Sequence, residues 1–115
     1  MVGETLSWLT ATHRLAKDHG VPLVVALIPV GTVDPAYVEF WRPWSRYFSA
    51  SLSADARHRR LADAIRRAGL PVVDLRDDLG GVPGTYRLTD GHWTTRGSEL
   101  VADRLSHELL KLQRN

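Results

Sequence analysis

The chain contains no cysteine. That removes disulfides, thiolate catalysis and cysteine-ligated zinc together. It leaves the compartment open, because many exported proteins carry no disulfide. Surplus charge is also lacking. The chain has 15 basic and 13 acidic residues, a net of +2. That balance gives no footprint for nucleic acid, and no nucleic-acid partner is expected. Long apolar runs are missing as well. The longest, Leu23 to Val30, is far too short for a membrane span, so no membrane segment is expected. No basic-then-apolar signal pattern opens the chain, so export would rest on sequence outside these residues.

What is present suits one folded domain over residues 1–115. The length fits a single domain, and 43% hydrophobic residues can build a core. Residues 4 to 19 read as a helix whose inner stripe is Leu6, Leu9, His13 and Ala16. Gly20 and Pro22 end it. "PLVVALIP" reads as a strand buried on both faces, as in a parallel sheet. A second helix is expected from Ser53, its cap, to Ala68, with Leu61, Ala64, Ile65 and Ala68 inward and Gly69 after it. "LPVVDL", residues 70 to 75, reads as a second buried strand. Residues 76 to 89 read as a loop, and Thr94 or Thr95 caps a last helix to about Lys111, with Leu100, Val101, Leu105 and Leu109 inward. Strands alternating with helices predict an α/β fold with a parallel sheet. Two strands make a sheet with exposed edges, so the fold is expected to be incomplete as it stands.

The segment between the first strand and the second helix is expected to be irregular. Pro43 breaks any helix through Tyr37 to Phe48. Tyr37, Phe40, Trp41, Trp44, Tyr47 and Phe48 gather there. They read either as cover for the core rim, the reading preferred, or as an aromatic wall beside a ligand, since flat amphipathic rings suit sugar faces. "RHRRLADAIRR" reads as the solvated face of a helix, its arginines paired with Asp55 and Asp63. Binding of an acidic polymer is the alternative.

Chemistry concentrates in "LTDGHWTTRG", residues 88–97. In extended backbone, residues two apart point the same way, so Asp90 and His92 can face one pocket. Gly91 between them opens turn geometries closed to other residues. A carboxylate that orients an imidazole leaves the second ring nitrogen free to take a proton from a hydroxyl nucleophile. The plain alternative is an aspartate capping a turn beside a surface histidine. As metal ligands the pair would need Asp74, Asp77 or Asp78, a set poor in the nitrogen and sulfur donors that zinc prefers. No metal site is expected.

With "LVVALIP", "LADAIRRAGLPVVDL" and "YRLTDGHWTTRGSELVADRL" in place, the chain resembles the SGNH-hydrolase-like domain of the alginate O-acetyltransferase type proteins. Those carry a D-x-H-W loop followed by a small residue, here Gly97, at a helix start. The resemblance implies an SGNH-hydrolase-like (flavodoxin-like) three-layer α/β sandwich. It implies acyl transfer or esterase chemistry on O-acetyl groups of carbohydrate, outside the cytoplasm, with no cofactor. It matches Asp90 and His92 to two members of a Ser-His-Asp triad, and it suggests Trp93 and Thr94 as substrate-binding residues. The family's Gly-Asp-Ser segment is absent, as is its lysine after the strand-end proline, where Gly31 stands. None of the seven serines sits in a sharp glycine turn after a strand. The one asparagine, Asn115, is terminal, which leaves no asparagine for an oxyanion hole. The serine is therefore expected beyond residue 115 or on a partner chain, with approach of a serine from the Ser45 to Ser53 region the lesser alternative. A degenerate homologue that binds a saccharide or a protein without catalysis is the other expectation.

Overall fold

The computed structural model describes residues 2–113, so Asn115 lies outside the described residues. Helix α1 (Val2–Asp18) leads into strand β1 (Val25–Leu27) and a 3₁₀ turn (Gly31–Val33). Helices α2 (Pro35–Trp41) and α3 (Ser45–Arg67) follow. Strand β2 (Val72–Asp74), a short helix α4 (Arg76–Leu79) and helix α5 (Thr95–Gln113) complete the order.

Helix α1 forms where its stripe predicts. Leu6, Leu9, His13 and Ala16 are half-buried, and the helix packs against α3. Gly20, at φ +67°, closes it, with its own N–H donating to Lys17 O and that of Val21 to Ala16 O. Gly69, at φ +75°, closes α3 by the same pair of bonds, to Arg66 O and from Leu70 to Ile65 O. These carbonyls would otherwise lack partners at the helix ends.

The two strands pair in parallel, Val25 opposite Val72 and Leu27 opposite Asp74. Both are shorter than expected, and β1 is not buried on both faces. Ala26 is exposed and Ile28 is 61% exposed: β2 is covered on both faces, with Val73 in the core beside Val101 and Asp74 against His58 of α3, but among the described residues nothing covers these two positions along β1.

Three further expectations change. The segment taken as irregular holds α2, which Asp34 caps by accepting from Ala36 N while Pro35 takes the first helical position. Helix α3 starts at Ser45 rather than Ser53. Its extra turns are held by Tyr47, whose ring lies 4.3 Å from that of Trp41 and whose hydroxyl meets that of Tyr37. Pro43 does separate α2 from α3, as predicted. The loop expected from residue 76 begins with α4, tied to α5 where the Arg104 guanidinium donates to both Asp78 carboxylate oxygens at 3.2 and 3.1 Å.

The core gathers Val33, Tyr37, Val73, Leu75, Leu79, Tyr86 and Val101. Complete burial of side chains such as Leu75 and Leu79 stabilises by about 1.5–3 kcal/mol each. Ile65 is fully buried and Ala62 joins it, whereas Ala68 and Leu109, both expected inward, are exposed. The site loop, residues 84–94, runs over this core from α4 to α5.

Candidate active site

The loop is a narrow turn closed at its base. Tyr86 and Trp93 bridge antiparallel, the Arg87 N–H donates to His92 O at 2.7 Å, and Gly91 N–H donates to Arg87 O at 3.3 Å. Gly91 takes φ +72°, a value that favours glycine, and so lets the chain reverse between Asp90 and His92. The Asp90 carboxylate accepts the His92 backbone N–H at 2.9 Å, which fixes the two residues relative to each other. His92 Nδ1 lies 3.6 Å from the same Asp90 oxygen, with the two side chains 84% and 47% exposed. That is ion-pair reach but longer than a hydrogen bond, so the imidazole is beside its partner and not locked to it.

Beneath His92 lies a cavity of about 200 Å3 lined by Ile28, Pro29, Tyr86, Gly91, His92 and Trp93. It opens at the C-terminal end of β1, where open α/β sheets place their ligands. Its walls are mainly apolar, and no serine lines it. Tyr86 is no acid–base candidate there. Its hydroxyl donates to Pro29 O at 2.5 Å, and burial pushes its pKa up. Trp93 contributes a wall. Thr94 instead spends its hydroxyl on the chain itself, donating to Gly84 O at 2.6 Å and accepting from Gly97 N at 3.2 Å as the cap of α5. Gly97 has no room for a side chain: a methyl there would overlap the Thr85 carbonyl and press on Trp93.

The first strand's exit holds this loop in place. The Asp34 carboxylate, fully buried, accepts the backbone N–H groups of Gly84, Thr85 and Tyr86 at 3.2, 3.0 and 3.1 Å as well as that of Ala36 at 2.8 Å. Trp41 donates its indole N–H to Leu88 O at 2.6 Å, at the loop tip. The sequence reading passed over Asp34. The pair Asp-Pro at a helix start was the available signal for its capping role; its reach to residues 84–86 had none.

A second histidine–aspartate pair was also missed. His58 Nε2, on α3, lies 2.7 Å from Asp74 Oδ1 at the end of β2, with the side chains only 9% and 8% exposed. Burial would raise the Asp74 carboxyl, but the His58 hydrogen bond, the Arg76 amide and the Arg66 guanidinium outweigh it and hold the pKa below the usual carboxylate value. Asp74 therefore serves α3 and its own turn and does not join Asp90 and His92. Asp78 is engaged by Arg104, and no group of three His, Asp or Glu side chains among the described residues could hold a metal ion. On α3, Arg59 pairs with Asp55 and Arg66 with Asp63, as expected, but Asp55 is half-buried and also accepts from the Arg76 guanidinium, and Arg66 reaches Asp74, so this face also ties α3 to the turn after β2.

The aromatic cluster divides. Tyr37 is buried in the core and Trp41 is half-buried against it, whereas Phe40, Trp44 and Tyr47 are 41%, 61% and 43% exposed. The rings stand in tilted or edge-on contact, with Trp41 touching Phe40, Trp44 and Tyr47. An exposed aromatic surface therefore joins the tip of the Asp90–His92 loop through the Trp41 bond to Leu88.

A family model described as the SGNH hydrolase-like domain of acetyltransferase AlgX matches residues 2–115. The chain belongs to this family. Its fold is SGNH hydrolase-like, of the α/β class, with a small parallel sheet among helices in the described residues. No curated protein and no solved structure matches the chain. Among the described residues, no helix is long and apolar enough to cross a membrane.

Proposed function

We propose that this AlgX-family domain carries the acid–base half of an acetyl-transfer or ester-hydrolysis site acting on carbohydrate outside the cytoplasm. His92 is the base and Asp90 its orienting partner. The observation that carries the reading is the shared turn: one Asp90 oxygen holds the His92 amide and lies 3.6 Å from the ring, at the mouth of an apolar cavity. A serine from outside residues 1–115, on further chain or on a partner, completes the triad. Its hydroxyl proton passes to His92 as its oxygen bonds to the acetyl carbonyl carbon. The ester C–O bond then breaks and His92 returns the proton to the leaving sugar oxygen. An acceptor hydroxyl, or water, repeats the steps on the acetyl-enzyme. The cavity, with Trp93 as a wall, is of a size for a short acyl group. The aromatic surface around Trp44 offers a flat face to a sugar ring. Thr94 acts through its cap and is not proposed to touch substrate.

A rival reading, a homologue that binds saccharide without catalysis, draws on the exposed and unlocked His92 ring. Turnover of an acetyl ester by the native protein beside its His92→Ala variant separates them. We expect the substitution to lower turnover by about 10²–10⁴-fold, the usual worth of a positioned acid–base group. Equal turnover in the two proteins rejects the role of His92. Saccharide binding without any turnover supports the rival.

A further inference from the structure

We propose that Asp34 is the positioning residue of the acid–base loop. A buried carboxylate with no cation beside it is costly unless its oxygens are filled by donors. Here four backbone N–H groups fill them: Ala36 and Gly84 on Oδ1, Thr85 and Tyr86 on Oδ2. Three of the four come from consecutive residues 50 to 52 positions away in the chain. Capping α2 needs only one of these bonds, so the other three serve the loop.

What those three bonds fix is the base of the site. Gly84 O takes the Thr94 hydroxyl and Thr85 O takes the Thr94 amide, so both strands of the turn are registered on the segment that Asp34 holds. Tyr86 follows at once, bridging Trp93 and sending its hydroxyl to Pro29 O. Arg87 then pairs with His92. A shift at residues 84–86 therefore moves His92 relative to Ile28 and Pro29, the opposite wall of the cavity. Asp34 reaches the proposed chemistry only through the loop.

Two substitutions separate the roles of Asp34. Asp34→Asn keeps shape and volume, but whichever way the amide turns, its NH2 faces two backbone donors. Asp34→Ser can still cap α2 and gives up all three amides of residues 84–86. Amide hydrogen exchange and the imidazole signals are read by NMR on the whole chain. In Asp34→Ser the amides of Thr85, Tyr86, Arg87 and Thr94 are expected to exchange about tenfold faster or more, and in Asp34→Asn either that of Gly84 or those of Thr85 and Tyr86, according to which pair meets the NH2, as lost hydrogen bonds at a buried segment imply. The His92 ring signals shift, while the His58 ring signals and the exchange of β1, β2 and α5 stay as in the parent. Unchanged loop exchange and an unchanged His92 signature in a folded variant overturn the inference. So does loss of protection throughout both variants, which would make Asp34 a prop of the whole core. The proposal rests on reading Asp90 and His92 as the acid–base pair. The experiment needs no turnover, so failure of that reading shows in the ester assay and failure of the positioning role shows here.

Discussion

At the scale of single residues, close approach matters more than propensity. Gly97 opens α5, where alanine would ordinarily be favoured by about 1 kcal/mol over glycine. The carbonyl of Thr85 and the Cβ of Trp93 occupy the space an alanine methyl would need. Overpacking of this kind costs about 1–3 kcal/mol, and the obstructing atom is backbone, which cannot rotate away. Gly97→Ala is expected to destabilise the domain by up to about 2 kcal/mol net in urea unfolding. A stabilised variant would mean that α5 moves freely off the loop. The sequence marked Gly97 as a small residue by family pattern, and the structure supplies the steric reason. Asp90 and His92 were legible in the same way, as types and spacing. Asp34 was not, because a carboxylate serving amides some fifty residues on leaves no local pattern.

Between elements, the sequence was most readable where periodicity and glycine stops agree. Helix α1 was foreseen on that basis, α5 from its stripe and its threonine cap, and the parallel order from strands alternating with helices. The start of α3 was not, because Ser45 to Ser53 carries no strong capping pattern and its first turns are held by Tyr47 packing on Trp41. Tertiary contact there overrides weak local preference. The tie between α3 and β2 was equally hidden, since His58 and Asp74 are 16 residues apart on different elements. It has a pH signature. The Asp74 carboxyl is held below its unfolded value, so the unfolded chain binds protons more readily in acid. The stabilisation is present above about pH 4, the ordinary carboxylate value, and is lost as pH falls through the lower folded value. Asp74→Asn is expected to cost roughly 1–3 kcal/mol near pH 7, with the gap to the parent shrinking as pH drops below about 4. Urea titrations at both pH values check it; a gap independent of pH would remove the carboxylate charge from the account.

For the whole molecule, shape is the informative quantity. The chain exposes 7543 Å2, where a compact monomer of its mass is expected near 6,300 Å2. Its radius of gyration is 15.7 Å, against about 13 Å for a compact domain of this length. Part of the excess lies along β1, where Ile28 is exposed beside an edge without a strand partner among the described residues. Unpaired edges with apolar side chains promote association. Concentration-dependent self-association is therefore expected, and Ile28→Lys should reduce it in sedimentation velocity. No association in the parent at high concentration would show the edge to be protected.

The span of the Asp34 clamp also sets an order of assembly. The contacts between α3 and β2 close short stretches of chain, while the clamp must bring together residues 50 to 52 apart. Longer closures cost more entropy and tend to slow folding. The loop that carries Asp90 and His92 is thus expected to set after the helical scaffold has formed. It is also the part a thermal fluctuation can release first, without undoing the strands beneath it.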